Sequence, residues 1–145
     1  MASSAVSGVG TIFRRWSGSA WANVAEVNSI SGPSMTRETI DVTSLDSTAG
    51  YREFIAGFRD AGNLQLTMNF TEATYDLMKT DFEDDTAQNY EIVLPDASTT
   101  SLEFEGLVIE CPLEIPIDDK ITSSVSIKIT GAVTVNSGAS SGLGA

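Results

Sequence analysis

The 145-residue chain contains no histidine and one cysteine, Cys111. Without histidine, neither a Ser-His nor a Cys-His catalytic arrangement can be built, and the commonest general base and metal ligand is missing. A lone cysteine excludes an internal disulfide and fits folding in a reducing compartment. Cys111, next to Pro112 at an apolar strand end, reads as an inert small residue. Long apolar runs are also missing. The uninterrupted stretches are short, such as Leu107-Val108-Ile109, whereas a membrane helix needs about 20 residues. No basic start followed by an apolar segment is seen at the N-terminus, so no secretory signal and no membrane association are expected. Basic residues are scarce: eight Lys and Arg oppose twenty Asp and Glu, for a net charge of −12. Such a surface repels phosphate, which argues against tight nucleic-acid binding. It suits either ordinary solubility or a surface that stays near DNA without adhering to it. Neither a catalytic site nor a metal or cofactor site is expected. The acidic groups Asp81-x-x-Asp84-Asp85 and Asp118-Asp119 lack the spacing of a calcium loop and read as solvated surface.

Hydrophobic residues make up 41% of the chain, enough for one domain with a single core. Residues 1–19 are expected to form a flexible arm, 20–135 the folded domain and the Gly/Ser-rich 136–145 a flexible tail. The clearest strand is 121–135. Ile121, Val125, Ile127, Ile129, Val133 and Val135 occupy odd positions, while Thr122, Ser124, Ser126, Lys128, Thr130 and Thr134 occupy even ones. Strand side chains alternate faces, so one face is buried and one polar. Gly131 marks a bulge or bend. Further strands are expected at 62–70 (Leu64, Leu66, Met68, Phe70), at 88–94 before a Pro95-Asp96 turn, and at 100–110 (Leu102, Phe104, Val108). Two less regular ones, at 22–30 and 35–42, are rich in Val, Ile and Thr. One helix is expected at 71–83. Thr71 is its N-cap, and Tyr75, Met78 and Phe82, with Leu77, form its apolar stripe. The acidic cluster Asp81, Glu83, Asp84 and Asp85 should end it facing solvent.

Segment 43–60 departs from this alternation. Turn chemistry (Thr43 to Gly50) runs into Tyr51-Arg52-Glu53-Phe54-Ile55-Ala56-Gly57-Phe58-Arg59-Asp60. A long loop in a small domain is usually functional, and aromatics and arginine are enriched at protein interfaces. Leu45, Tyr51, Arg52, Phe54, Ile55, Phe58 and Arg59 are therefore the candidate interface residues. The alternative is a loop folded back onto its own core. Trp16 and Trp21 read as core or interface anchors, with sugar stacking as the other option.

The ordered set of elements resembles the major tail tube proteins of long-tailed, lambda-type bacteriophages. The resemblance rests on the run from Ile40 through Thr48 and Tyr51 to Phe70, and on a short helix ending near Phe82. It continues with Val93-Leu94-Pro95, Phe104-Glu105-Gly106, and Ile115-Pro116-Ile117-Asp118-Asp119-Lys120 leading into the last strand. It implies a mainly β fold, a β-sandwich or partly closed barrel with one flanking α-helix and a long inter-strand loop. It also implies a non-enzymatic virion protein that assembles in the host bacterial cytoplasm into stacked hexameric rings forming the conduit for DNA ejection. The loop would then reach the neighbouring ring. The implied partners are other copies of the chain, a tape measure protein inside the tube, and terminator and baseplate proteins at its ends. DNA would pass without specific binding. Glu103 and Glu105 are candidates for a lumen lining, with an ordinary solvated face as the alternative. A β-sandwich carbohydrate-binding or adhesin module of a virion is the competing function.

Overall fold

The computed structural model describes residues 8–24 and 27–137. Its ten strands are β1 (Ile12–Trp16), β2 (Trp21–Asn23), β3 (Val27–Ser31), β4 (Thr36–Asp41), β5 (Phe54–Asp60), β6 (Asn63–Asn69), β7 (Gln88–Val93), β8 (Ser101–Glu110), β9 (Leu113–Glu114) and β10 (Thr122–Asn136). The single α-helix among the described residues, α1, spans Glu72–Glu83, and a short 3-10 turn covers Thr48–Gly50. All strand pairs are antiparallel. The main sheet runs β2-β1-β7-β8-β10-β6-β3, with β9 on the start of β10, while β4 and β5 form a separate two-stranded ribbon. The sheet curls until β3 and the approach to β1 face each other across a cleft of about 670 Å³, lined by Val9, Thr11, Val27, Ile30, Ile92 and Leu102. The fold is thus mainly β and sandwich-like, a barrel left open along one seam.

The alternation expected over 121–135 is realised from Ser123 to Ile129, while Ile121, expected on the buried face, precedes β10 and is exposed. Val125, Ile127 and Ile129 are buried and Ser123 with them, while Ser124, Ser126 and Lys128 face outward. The pattern stops at Gly131, whose φ of +80° accompanies a register shift between Thr130 and Thr134, so Val135 is exposed. Leu64, Leu66 and Met68 of β6 face the same core. Phe13, Tyr90 and Phe104 complete it from β1, β7 and β8. The Phe13 and Tyr90 rings stack with centroids 5.5 Å apart. Each fully buried apolar side chain of this size contributes roughly 1.5–3 kcal/mol. Gly106 sits where an added Cβ would lie 2.5 Å from Ile127 Cγ2, so β8 can close on β10 only with glycine there.

Helix α1 forms where the sequence predicts, with the Thr71 hydroxyl accepting from the Thr74 N–H at 3.3 Å. Its buried line differs from the expected stripe: Thr74, Met78 and Asp81 point inward, while Phe82 is 51% exposed. Asp81 is therefore not solvated. Its carboxylate is held bidentately by Arg15, at 2.7 Å from Nε and 2.5 Å from Nη2. It also accepts from the Tyr90 hydroxyl at 2.7 Å. The pair with Asp81 raises the Arg15 pKa further, and burial pushes the Tyr90 hydroxyl far above its ordinary value. A charged carboxylate can stand buried at position 81 because β1 presents the Arg15 guanidinium against it.

The N-terminal arm also needs correction. Residues 12–16, expected to be flexible, are β1, paired with β2 and β7; residues 1–7 lie outside the described residues. Two adjacent arginines concealed the strand. Arg15 turns inward to Asp81, and Arg14 turns outward to the fully buried carboxylate of Glu91 on β7. Of the expected tail, Asn136 is the last residue of β10 and 138–145 lie outside the described residues.

Two substitutions test this packing. Ile127→Asp buries a charge in the core and is expected to abolish soluble folded protein; normal thermal stability would show the face assignment to be wrong. Asp81→Asn leaves Arg15 with no buried counter-charge and is expected to cost about 3–5 kcal/mol in urea unfolding. Phe82→Ala on the same helix should shift stability by no more than about 0.5 kcal/mol.

Candidate assembly interface

The segment expected as a loop over 43–60 is only partly one. Residues 54–60 are β5, paired with β4 in the register Asp41↔Phe54, Ile40↔Ile55, Thr39↔Ala56, then, past a bulge, Arg37↔Arg59 and Thr36↔Asp60. The loop proper runs from Val42 to Glu53. Its strand character escaped periodicity because neither face of the ribbon is buried: every residue of β4 and all of β5 except Gly57 is exposed.

The ribbon is nevertheless well defined. Glu53 N–H donates to Thr43 Oγ1 at 2.7 Å, Val42 N–H to the Glu53 carbonyl at 2.9 Å, and Ser47 Oγ to the Glu53 carboxylate at 2.8 Å. Asp41 accepts from the Thr43 N–H at 2.9 Å, and its carboxyl is held below the usual range by hydrogen bonds from Thr43. At the base, Gly62 adopts φ +78°, with Ser34 O only 2.4 Å from where a Cβ would stand, and the Gly62 carbonyl accepts from the Ile129 N–H at 3.0 Å. Position 62 thus needs glycine to tie the ribbon's return strand to the sheet.

All seven predicted residues lie on this one projection. Leu45 is fully exposed at the turn; Tyr51 (75% exposed) and Arg52 lie on the return; Phe54, Ile55, Phe58 (86% exposed) and Arg59 line β5. Ile55 stands opposite Ile40. The sequence reading missed Met35, Ile40 and Val42, exposed apolar residues leading into and along β4; their spacing within a short Thr-rich strand was the available signal. Arg52 comes within 3.9 Å of Asp41, an exposed pair worth little by itself. A lone two-stranded hairpin is marginal in water, and this one leaves its large apolar side chains exposed.

Glu103 and Glu105 lie elsewhere, on β8, opposite the inward-facing Phe104 and Gly106. Glu105 is exposed between Asn89 and Thr130, and Glu103 is half-buried between Glu91 and Thr134. Trp16 and Trp21 meet edge to face, centroids 5.3 Å apart at 68°, with the Arg14 guanidinium 5.8 Å above the Trp21 ring. Two rings at that angle do not make the flat platform that a sugar stacks on. No cluster of three or more metal-ligating side chains occurs among the described residues.

An open antiparallel barrel with an unburied, pre-ordered apolar ribbon is the build of an assembly subunit. The sequence profile of the lambda phage tail tube protein family (TTP) matches residues 6–136, and the chain belongs to that family. It is a structural protein of the virion tail. Its fold is shared with a chain from the tail of an empty GTA particle refined with C6 symmetry, at 21% identity and TM-score 0.74, covering 91% of this chain and 99% of that one. A chain from the sheath/tube terminator of the extracellular contractile injection system PVC is similar at 13% identity and TM-score 0.71, covering 94% and 99%. The SPP1 tail tube protein is similar at 8% identity and TM-score 0.69, covering 92% and 80%. No curated protein matches the sequence.

Proposed function

We propose that copies of this chain close into six-membered rings and that the rings stack into a hollow tube, with the β4–β5 ribbon making the contact between neighbouring copies. The observation that carries this reading is the ribbon itself, which holds Leu45, Tyr51, Phe54, Ile55 and Phe58 in water on an ordered scaffold. Burying those groups against another copy supplies the driving force that the isolated hairpin lacks. Six-fold rings are favoured by the C6 symmetry of the similar GTA tail. The tube conducts DNA. Glu103 and Glu105, on the outward face of β8 with Thr130 and Thr134, are assigned to its lumen, where carboxylates repel phosphate. The subunit has no catalytic role, in keeping with a sequence without histidine. A tape measure protein inside the tube and terminator and baseplate proteins at its ends are the further partners, and assembly takes place in the host bacterial cytoplasm.

Electron microscopy of negatively stained protein tests the reading. Wild-type protein is expected to form tubes, whereas a Tyr51→Ser, Phe54→Ser, Phe58→Ser variant is expected to stay folded, within about 1 kcal/mol of wild type, and not to polymerise. Tubes of normal length from that variant would remove the ribbon from the interface. Purified tubes should also retain no DNA near physiological salt; saturable retention on a filter would contradict the conduit.

A further inference from the structure

At the base of the ribbon lies a groove of about 680 Å³ whose floor is apolar, with Met35, Ala61, Ile129, Ala132 and Val133, and whose rim carries Arg37 and Arg59. These arginines stand directly opposite each other across β4 and β5. Like charges so placed repel. Five of the chain's eight basic residues, Arg14, Arg15, Arg52, Lys79 and Lys128, have a carboxylate within 4.0 Å; Arg37, Arg59 and Lys120 have none among the described residues, and of these only the two arginines border the groove. The one carboxylate in the groove, Asp60, accepts from the Gly62 N–H and from Lys128 at 3.3 Å, and these contacts hold its pKa low. Two guanidiniums above an apolar floor, in a protein of net charge −12, call for a ligand that is apolar and acidic at once.

The chain carries such a segment. Between β9 and β10, Ile115 and Ile117 are exposed, Ile117 completely, and Asp118 and Asp119 follow directly. Within a single copy Ile115, Ile117 and Asp118 stand exposed, and the Asp119 carboxylate accepts only the adjacent Lys120 N–H, at 2.7 Å. This bend lies beyond the start of β10, where Thr122 pairs with Glu114, whereas the groove lies beside Ile129 to Val133. At about 3.3 Å per residue the two are separated by roughly 23 Å or more along β10, so a copy cannot fill its own groove.

We propose that the 115–119 bend of one copy seats in the groove of the next, Ile117 on the apolar floor and Asp118 and Asp119 against Arg37 and Arg59. The partner is a second copy of this chain, and the inference rests on the tube reading. Because knob and groove sit at opposite ends of the longest strand, the contact is head-to-tail, the kind that propagates through an assembly instead of ending at a dimer.

A charge-swap series in the full chain tests this, with circular dichroism to confirm folding and sedimentation to measure the concentration needed for assembly. Arg37→Glu with Arg59→Glu is expected to raise that concentration at least about tenfold, and so is Asp118→Arg with Asp119→Arg. The four substitutions together are expected to restore assembly towards the wild-type value. Arg37→Gln with Arg59→Gln, which preserves size without reversing charge, serves if a reversal misfolds and should raise the concentration several-fold. Wild-type tubes with either reversal assembling normally would overturn the pairing and leave the tube reading intact. Two reversals that each block assembly without mutual rescue would overturn it as well. Wild-type protein that never assembles would overturn the tube reading and the pairing together.

Discussion

The consecutive arginines of β1 hold the subunit together at a point where hydrophobic burial alone would not. Strand geometry sends Arg14 to one face of the sheet and Arg15 to the other, and each meets a carboxylate withdrawn from water, Glu91 on β7 and Asp81 on α1. Asp81 also takes the Tyr90 hydroxyl. One short strand is thereby locked to the sheet and to the only α-helix among the described residues. Removing a single member leaves a charge in a low-dielectric site, which is far more damaging than losing an exposed pair. The pairs also specify position. An apolar contact tolerates sliding, but a bidentate guanidinium–carboxylate bond fixes α1 against β1 in one register.

Against that rigid body, the ribbon follows the opposite logic. Its backbone is ordered by its own ladder and by hydrogen bonds across the Thr43–Glu53 neck, yet its side chains bury almost nothing. Ordering the backbone in advance lowers the entropy lost on association. Leaving the side chains in water stores the hydrophobic gain for the moment of contact. The acidic surface works alongside this: a strongly negative subunit resists indiscriminate collapse, so only matched surfaces come together.

Elements with one dry and one wet face were legible in the sequence. β6, β8, β10 and the N-cap of α1 lie within a residue or two of the expected bounds, because alternation and capping are local consequences of burial. β5 was not legible, since with two wet faces it has no alternation to read and it lacks the Val/Ile/Thr-rich composition that marked the equally exposed β4. β1 was hidden by Arg14 and Arg15, whose charges are cancelled by residues 66 and 77 positions away, beyond any local window. The same non-local pairing misled the reading of Asp81. The candidate residues were found by type, as aromatics and arginines crowded into a segment that fitted no element; their partners Met35, Ile40 and Val42 were ordinary strand formers and carried no such mark.

The seam between β3 and the approach to β1 has a mechanical meaning. A sheet closed into a full cylinder resists changes of radius, because every strand is bonded on both sides. A sheet left open along a 670 Å³ cleft flexes across that gap through small changes of twist, breaking no backbone hydrogen bond. Along β10, by contrast, fifteen residues are laced to neighbours for most of their length. Backbone bonding is thus interrupted at one gap around the girth and is most continuous along β10.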